Sequence, residues 1–315
     1  MAVALICISH TPLLFEEDLA NADICRVVKQ SFDRAASFVE AFDPELIVQF
    51  SPDHFHGFHY DNMPSFCVGA DARSVGDWKT KAGPLPVDEN LAIEVVLAAR
   101  DADIDVAVSY DMEVDHGFVQ VWEEMFGRFD KYPMVPIFIN SIAYPLPKYR
   151  RARLLGEAVG RFIKQSGKRV LFAASGGLSH DPAVPKIQGA TPEVRERLIG
   201  RTKIAPEQQK KREAAVRDVA RQAIEMKGPA LPLNPQWDHD IMKFLRNGEW
   251  GMIDSLTPES VAKVAGFGGN EVLCWVAAFA AMQACTPFEV VQEDYIEVPG
   301  WIAGLAHMSA KEVAS

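Results

Sequence analysis

The feature that most constrains the fold is an alternation of short β-rich runs with longer stretches whose apolar residues recur at helical spacing. Residues 3–9, 46–51, 104–109, 135–139 and 169–174 read as strands, and residues 24–42, 89–100, 119–129 and 149–165 as amphipathic helices. A chain that returns repeatedly from strand to helix to strand builds right-handed crossovers. We therefore expect an α/β fold with a mainly parallel central sheet flanked by helices. From Thr191 onward the pattern turns charged and helical (193–201 and 206–226), passes a Pro-rich joint at 229–235 and ends near Trp301. This reads as a helical C-terminal elaboration of the same domain, because no long Gly/Ser linker separates it, so residues 1–315 are expected to form one domain.

Histidine is scarce, eight in 315 residues, yet six of the eight sit in four segments that follow expected strands. These are Ser9-His10-Thr11-Pro12, the run from Pro52 to Phe58 with His59, Val114-Asp115-His116-Gly117, and Gly176-Gly177-Leu178-Ser179-His180-Asp181. Loops at the carboxyl edge of a parallel sheet converge in space although they are distant in sequence, and ligands collect there. One loop histidine is ordinarily a solvated polar group. Four such loops on one rim instead suggest metal ligands and proton-transfer groups together.

Composition narrows the alternatives. A net charge of −11 with no concentrated basic segment argues against a nucleic-acid or anionic-membrane surface. Five widely spaced cysteines without a C-x-x-C pair disfavour a disulfide frame or a zinc ribbon and suit a reducing cytoplasm. Residues 2–8 lack a basic leader and read as a first strand. The apolar run 272–284 is short of the ~20 residues a bilayer requires and reads as a buried helix.

Two imidazoles and one carboxylate on one face of a metal leave the other face open, as in non-haem Fe(II) sites that take substrate and O2 together. His10 and His54 are the leading ligands. For the carboxylate, Asp53, Asp115, Asp181, Asp238 and Glu271 all remain open; the aspartates beside histidines more often orient their loops, and Glu271 opens the apolar helix. A competing pattern, His54-x-His56-x-x-His59, resembles a zinc hydrolase but lacks the customary following Asp. No G-x-S-x-G elbow, phosphate-binding loop or strand-anchored G-x-G-x-x-G occurs.

Segments spread along nearly the whole chain resemble the class III extradiol catechol dioxygenases. They include Ser9-His10-Thr11-Pro12-Leu13, Ser51-Pro52-Asp53-His54-Phe55, Val114-Asp115-His116-Gly117-Phe118, Ser175-Gly176-Gly177-Leu178-Ser179-His180 and Trp275-Val276-Ala277-Ala278-Phe279-Ala280. The resemblance implies Fe(II) held by His10, His54 and Glu271, with His180 accepting a catechol proton and His116 donating one later. It also implies ring opening beside the two hydroxyls of a catechol that bears a three-carbon carboxylate chain. His56 and His59 do not match family positions, and the Gly268-Gly269 approach to Glu271 is unusual for the family. We expect a homo-oligomer acting on a small catechol and O2, without nucleic-acid or membrane partners. The alternative, a member that has lost activity and serves as a binding protein, would lack part of this five-residue set.

Overall fold

The computed structural model describes residues 2–182, 184–200, 206–228 and 230–313. In chain order its elements are β1 (Ala2–Ile8), α1 (Ala22–Phe42), β2 (Leu46–Ser51), β3 (Phe66–Gly69), β4 (Ala72–Val75), β5 (Ala82–Pro84), α2 (Glu89–Asp101), β6 (Ala107–Ser109), β7 (Met112–Val114), α3 (His116–Phe126), β8 (Met134–Ile139), α4 (Tyr149–Ile163), β9 (Arg169–Ser175), α5 (Pro192–Ile199), α6 (Pro206–Ile224), α7 (Pro235–Asn247), α8 (Trp250–Asp254), α9 (Pro258–Ala265), α10 (Val272–Cys285), β10 (Phe288–Val298) and β11 (Ala303–Glu312). Arg201, at the end of the segment 193–201 read as helical, and Pro229, at the start of the Pro-rich joint, lie outside the described residues.

Eight strands form the main sheet in the order β10-β11-β1-β9-β2-β8-β3-β6. Its four central strands, β1, β9, β2 and β8, run parallel, and their near-continuous apolar sequences are buried on both faces. Side chains alternate across the pleat. Val3, Leu5 and Cys7 enter one core with α2, α4, α7 and α10, while Ala4, Ile6 and Ile8 enter a second core with α1 and α3. The parallel sheet between helical layers and the helical region after Thr191 agree with the sequence reading.

Several features differ in detail from that reading. After α10 the chain forms the antiparallel pair β10–β11, and β11 joins β1 in antiparallel register, Ala4 opposite Lys311. At the other side β3 is antiparallel to β8. The run 104–109 supplies only a short edge strand, and His116 follows β7, a strand of a separate three-stranded sheet ordered β5-β4-β7. The helix expected from 119 begins at His116 because Asp115 caps it, its Oδ1 accepting from the Gly117 amide at 2.9 Å.

Helix α10 is apolar all round, and nearly every side chain from Val272 to Cys285 is buried. It packs on α4, where a Cβ at Gly156 or Gly160 would collide with the carbonyl of Ala277 or Ala281. Glycine there lets the two backbones touch. Among the described residues no helix is long and apolar enough to cross a membrane.

Candidate active site

Register brings the carboxyl ends of the central strands to one level: Ile8 lies opposite Ser175, and Phe50 opposite Ala174. The loops carrying His10, His54 and His180 therefore leave the sheet side by side, and the start of α3 brings His116 to the same place. The His54 and His116 rings stack at 4.6 Å between centroids, and His10 meets each edge-on at 5.3 and 5.4 Å. Glu271 closes the group from the head of α10. Its Oε1 lies 3.3 Å from His54 Nε2 and 3.2 Å from His180 Nε2, and its Oε2 lies 3.8 Å from His10 Nε2.

Each imidazole is anchored through Nδ1. Partners are the Ser175 hydroxyl for His10 (2.7 Å), Asp115 Oδ2 for His54 (3.0 Å), Asp77 Oδ2 for His116 (2.6 Å) and the Leu178 carbonyl for His180 (2.8 Å). Carboxylates and carbonyls only accept, so Nδ1 of His54, His116 and His180 carries a proton and donates it. Nε2 of His10, His54 and His180 turns toward Glu271. Nε2 of His116 is buried without a hydrogen-bond partner among the described residues, an arrangement that a bound species would relieve.

Electrostatics follow from this crowding. Burial pushes the Glu271 carboxyl up, but His180, His54 and His10 outweigh it and hold the carboxyl well below its usual range. Burial lowers His10 to about 3, so it is a neutral ring. At His54 burial also opposes charge, yet Asp115 and Glu271 raise it well above the ordinary imidazole value. His180 is raised for the same reason, burial being outweighed by Glu271. A buried carboxylate balanced by protonated imidazoles is a place where a divalent cation can replace protons. His10, His54 and His116 also bring ligand atoms within 4.8 Å of one another. The donor set of imidazole nitrogens and a carboxylate suits a first-row metal ion.

The remaining acidic candidates are engaged elsewhere. Asp53 accepts from the amides of His56, Gly57 and Phe58 and shapes that loop. Asp181 accepts from the amides of Phe267 and Leu231, tying two connections together. Asp238 is buried beneath the His180 loop, where it takes the Ser179 amide at 2.7 Å, the Ser179 hydroxyl at 2.6 Å and the Tyr295 hydroxyl at 2.7 Å. The zinc-hydrolase triad is not assembled: His56 groups with Asp53 and Asp115, whereas His54 groups with His10 and His116.

The glycine-rich approach to Glu271 is a buried 3-10 turn over Phe267–Glu271. Asn270 fixes it, donating to the carbonyls of Pro258 (3.2 Å) and Phe267 (3.0 Å) and accepting from the Tyr149 hydroxyl at 3.1 Å. Gly268 is required by the His180 ring, which a Cβ would strike. Gly176, at φ +112°, passes so close that a Cβ would sit 2.8 Å from Glu271 Oε2. The glycines thus permit close packing around the carboxylate, which is held in place.

Asp77, which orients His116, carries no signal in the sequence, and Ser175, part of a family-like segment, gives no hint there that it orients His10, since each meets its histidine only through tertiary pairing. Outside the histidines, a cavity of about 250 Å³ opens against His54, His56 and Trp78 and is walled by α5 and α6. A larger one of about 630 Å³ shares His56, Trp78, Arg197 and Arg212 with it and extends past Asp77.

Comparison with known proteins identifies the family. Residues 4–306 match the family described as the catalytic LigB subunit of aromatic ring-opening dioxygenase. Three relatives named 2,3-dihydroxyphenylpropionate/2,3-dihydroxicinnamic acid 1,2-dioxygenase are similar over almost their full lengths. The one from Cupriavidus pinatubonensis is 44% identical, with 100% of each chain covered. That from Burkholderia vietnamiensis is 45% identical over 99% of this chain and 98% of its own, and that from Rhodococcus jostii 44% over 99% of each. The chain belongs to the LigB family of aromatic ring-opening dioxygenases and is an extradiol ring-cleavage enzyme.

Proposed function

We propose that residues 1–315 form one catalytic domain that uses Fe(II) and O2 to open the ring of 2,3-dihydroxyphenylpropionate or 2,3-dihydroxycinnamate beside its two hydroxyls. The observation that carries the proposal is the convergence of four Nδ1-anchored imidazoles, three of them facing one buried carboxylate, in a chain 44% identical to relatives named for these substrates. His10, His54 and Glu271 would hold the metal, because one carboxylate and two imidazoles leave half of the coordination sphere free. When bound, iron(II) supplies a common centre at which catecholate and O2 are held together and exchange electron density.

The protein's own groups supply the proton chemistry. A catechol must lose protons to bind through both oxygens, and His180 Nε2, with Nδ1 tied to the Leu178 carbonyl, is a base whose orientation is fixed. His116 Nε2 is the second proton site. The Asp77 carboxylate fixes the ring from behind through Nδ1, leaving Nε2, unpartnered among the described residues, to exchange a proton as the ring opens. The apolar Trp78, Val216 and Ile302, which line the cavity beside His54, limit water there.

Anaerobic loading with Fe(II), followed by O2 and 2,3-dihydroxyphenylpropionate, should consume O2 and give a yellow ring-fission product. A colourless dicarboxylic muconate would overturn extradiol cleavage, and equal efficiency with unsubstituted catechol would overturn the substrate assignment alone.

A further inference from the structure

Both α5 and α6 turn an arginine toward the cavity that reaches His54: Arg197 from α5 and Arg212 from α6 line it together with Trp78 and Gln209. The other cations around the joined cavities are neutralised. Arg73 pairs with Asp111 and Glu113, and Lys79 pairs with Glu16 at 2.5 Å. Neither Arg197 nor Arg212 makes an ion pair or side-chain hydrogen bond among the described residues. The two are nonetheless close neighbours: burial first, and then the charge of Arg197, lower the Arg212 pKa from its ordinary value.

Two like charges in a partly desolvated wall repel each other and lose hydration, at a cost that an anion between them would offset. Guanidinium forks suit a carboxylate in particular, since each offers parallel N–H donors to two oxygens. The cavity then has two chemically different ends. One is the imidazole cluster, where a diol can be deprotonated; the other is a cationic pair, and Asp77, the acid whose charge reaches Arg212, is already held by His116.

We propose that Arg197 and Arg212 form a carboxylate subsite that receives the side-chain end of the substrate and so sets which catechols the enzyme prefers. This rests on the substrate reading above, and it adds the residues that recognise the acid. A ring substituent ending in an anion spans from His54 toward the arginine pair, fixing which ring carbon faces the reacting centre. Binding energy gained there serves orientation at the diol.

The test uses direct binding as well as turnover. The unreactive 3-(2-hydroxyphenyl)propionate and its neutral amide are titrated into the iron-loaded protein by calorimetry. The acid should bind at least about tenfold more tightly than the amide, the range expected for hydrogen bonds to a charged group. The ratio should collapse toward one in the Arg197→Gln/Arg212→Gln double variant and recover in part in Arg212→Lys paired with native Arg197. In turnover, the ratio of kcat/KM for 2,3-dihydroxyphenylpropionate over 3-propylcatechol should fall by about the same factor, chiefly through KM. An acid preference that persists in the double variant, or its absence in the native protein, overturns the subsite. Failure of the native protein to open either catechol overturns the reaction assignment, while the binding ratio still decides the subsite.

Discussion

Asp77 grips His116 at two points: its Oδ1 accepts from the His116 backbone amide at 2.7 Å and its Oδ2 from Nδ1 at 2.6 Å. One carboxylate therefore sets both the start of α3 and the orientation of the ring. Burial pushes Asp77 up, but the facing His116 and His56 outweigh it and keep it ionised.

Asp77→Asn should leave iron bound while lowering kcat by about 10²-fold or more, because a mispositioned acid/base group forfeits its contribution. A steady-state analysis with iron determined on the same sample checks this. A loss confined to KM would show that Asp77 shapes the cavity and does not act through His116.

Glu271→Gln keeps the side-chain shape but removes the charge that faces three imidazoles, and His10→Ala removes a ring. Each should lower bound iron by about tenfold or more, with activity falling in parallel. Chelation of the native protein should lower its Tm, since an ion that binds only the folded state stabilises it. If His116→Ala loses iron while Glu271→Gln retains it, the grouping of His10, His54 and His116 is the true ligand set.

Gly176→Ala tests the packing around the carboxylate. Residue 176 sits at φ +112°, and a methyl there would press on Glu271 at 2.8 Å. We expect about 1–3 kcal/mol of strain, read as a lower Tm, together with weaker iron retention. An unchanged iron content would mean that the carboxylate has room to move.

Asp294 on β10 sets a pH dependence far from the active site. His307, Arg34, Gln292 and Ser31 hold its carboxyl well below the usual range, with Arg34 at 2.7 Å and Ser31 at 2.8 Å. A depressed carboxylate adds stability above its unfolded value of about 3.9 and loses it as pH falls through the folded value. Asp294→Asn should thus lower Tm near neutral pH, and the gap to the native protein should narrow below about pH 4. A constant gap across the acid range would mean that the loss is steric.

The central strands and the four histidine loops were legible because buried parallel strands are written as apolar runs and their exits as Gly/Asp/His-rich turns. The convergence of His10, His54, His116, His180 and Glu271 was anticipated on that basis together with a family resemblance. The closing hairpin was not. Strand β11 reads Ala-Gly-Leu-Ala-His-Met-Ser-Ala, poor in β-branched residues, and it is a strand because β1, some 300 residues earlier, offers it an edge. Asp77 escaped notice for a related reason: it lies 39 residues before His116 on the turn after β4, and only the β4–β7 pairing brings the two together.

The close packing of α10 on α4 divides the enzyme's capacity for change. Glu271 stands at the head of a helix that touches its neighbour backbone to backbone, so this side of the site can hardly accept a new side chain without loss of the fold. The cavity beside His54 is walled instead by α5, where only Leu198 is buried, and by α6, where among the described residues Ala220 is the one buried side chain. Variation that retunes ring-substituent preference should accumulate on this second wall, leaving the ring-opening chemistry intact while the range of accepted aromatic compounds drifts.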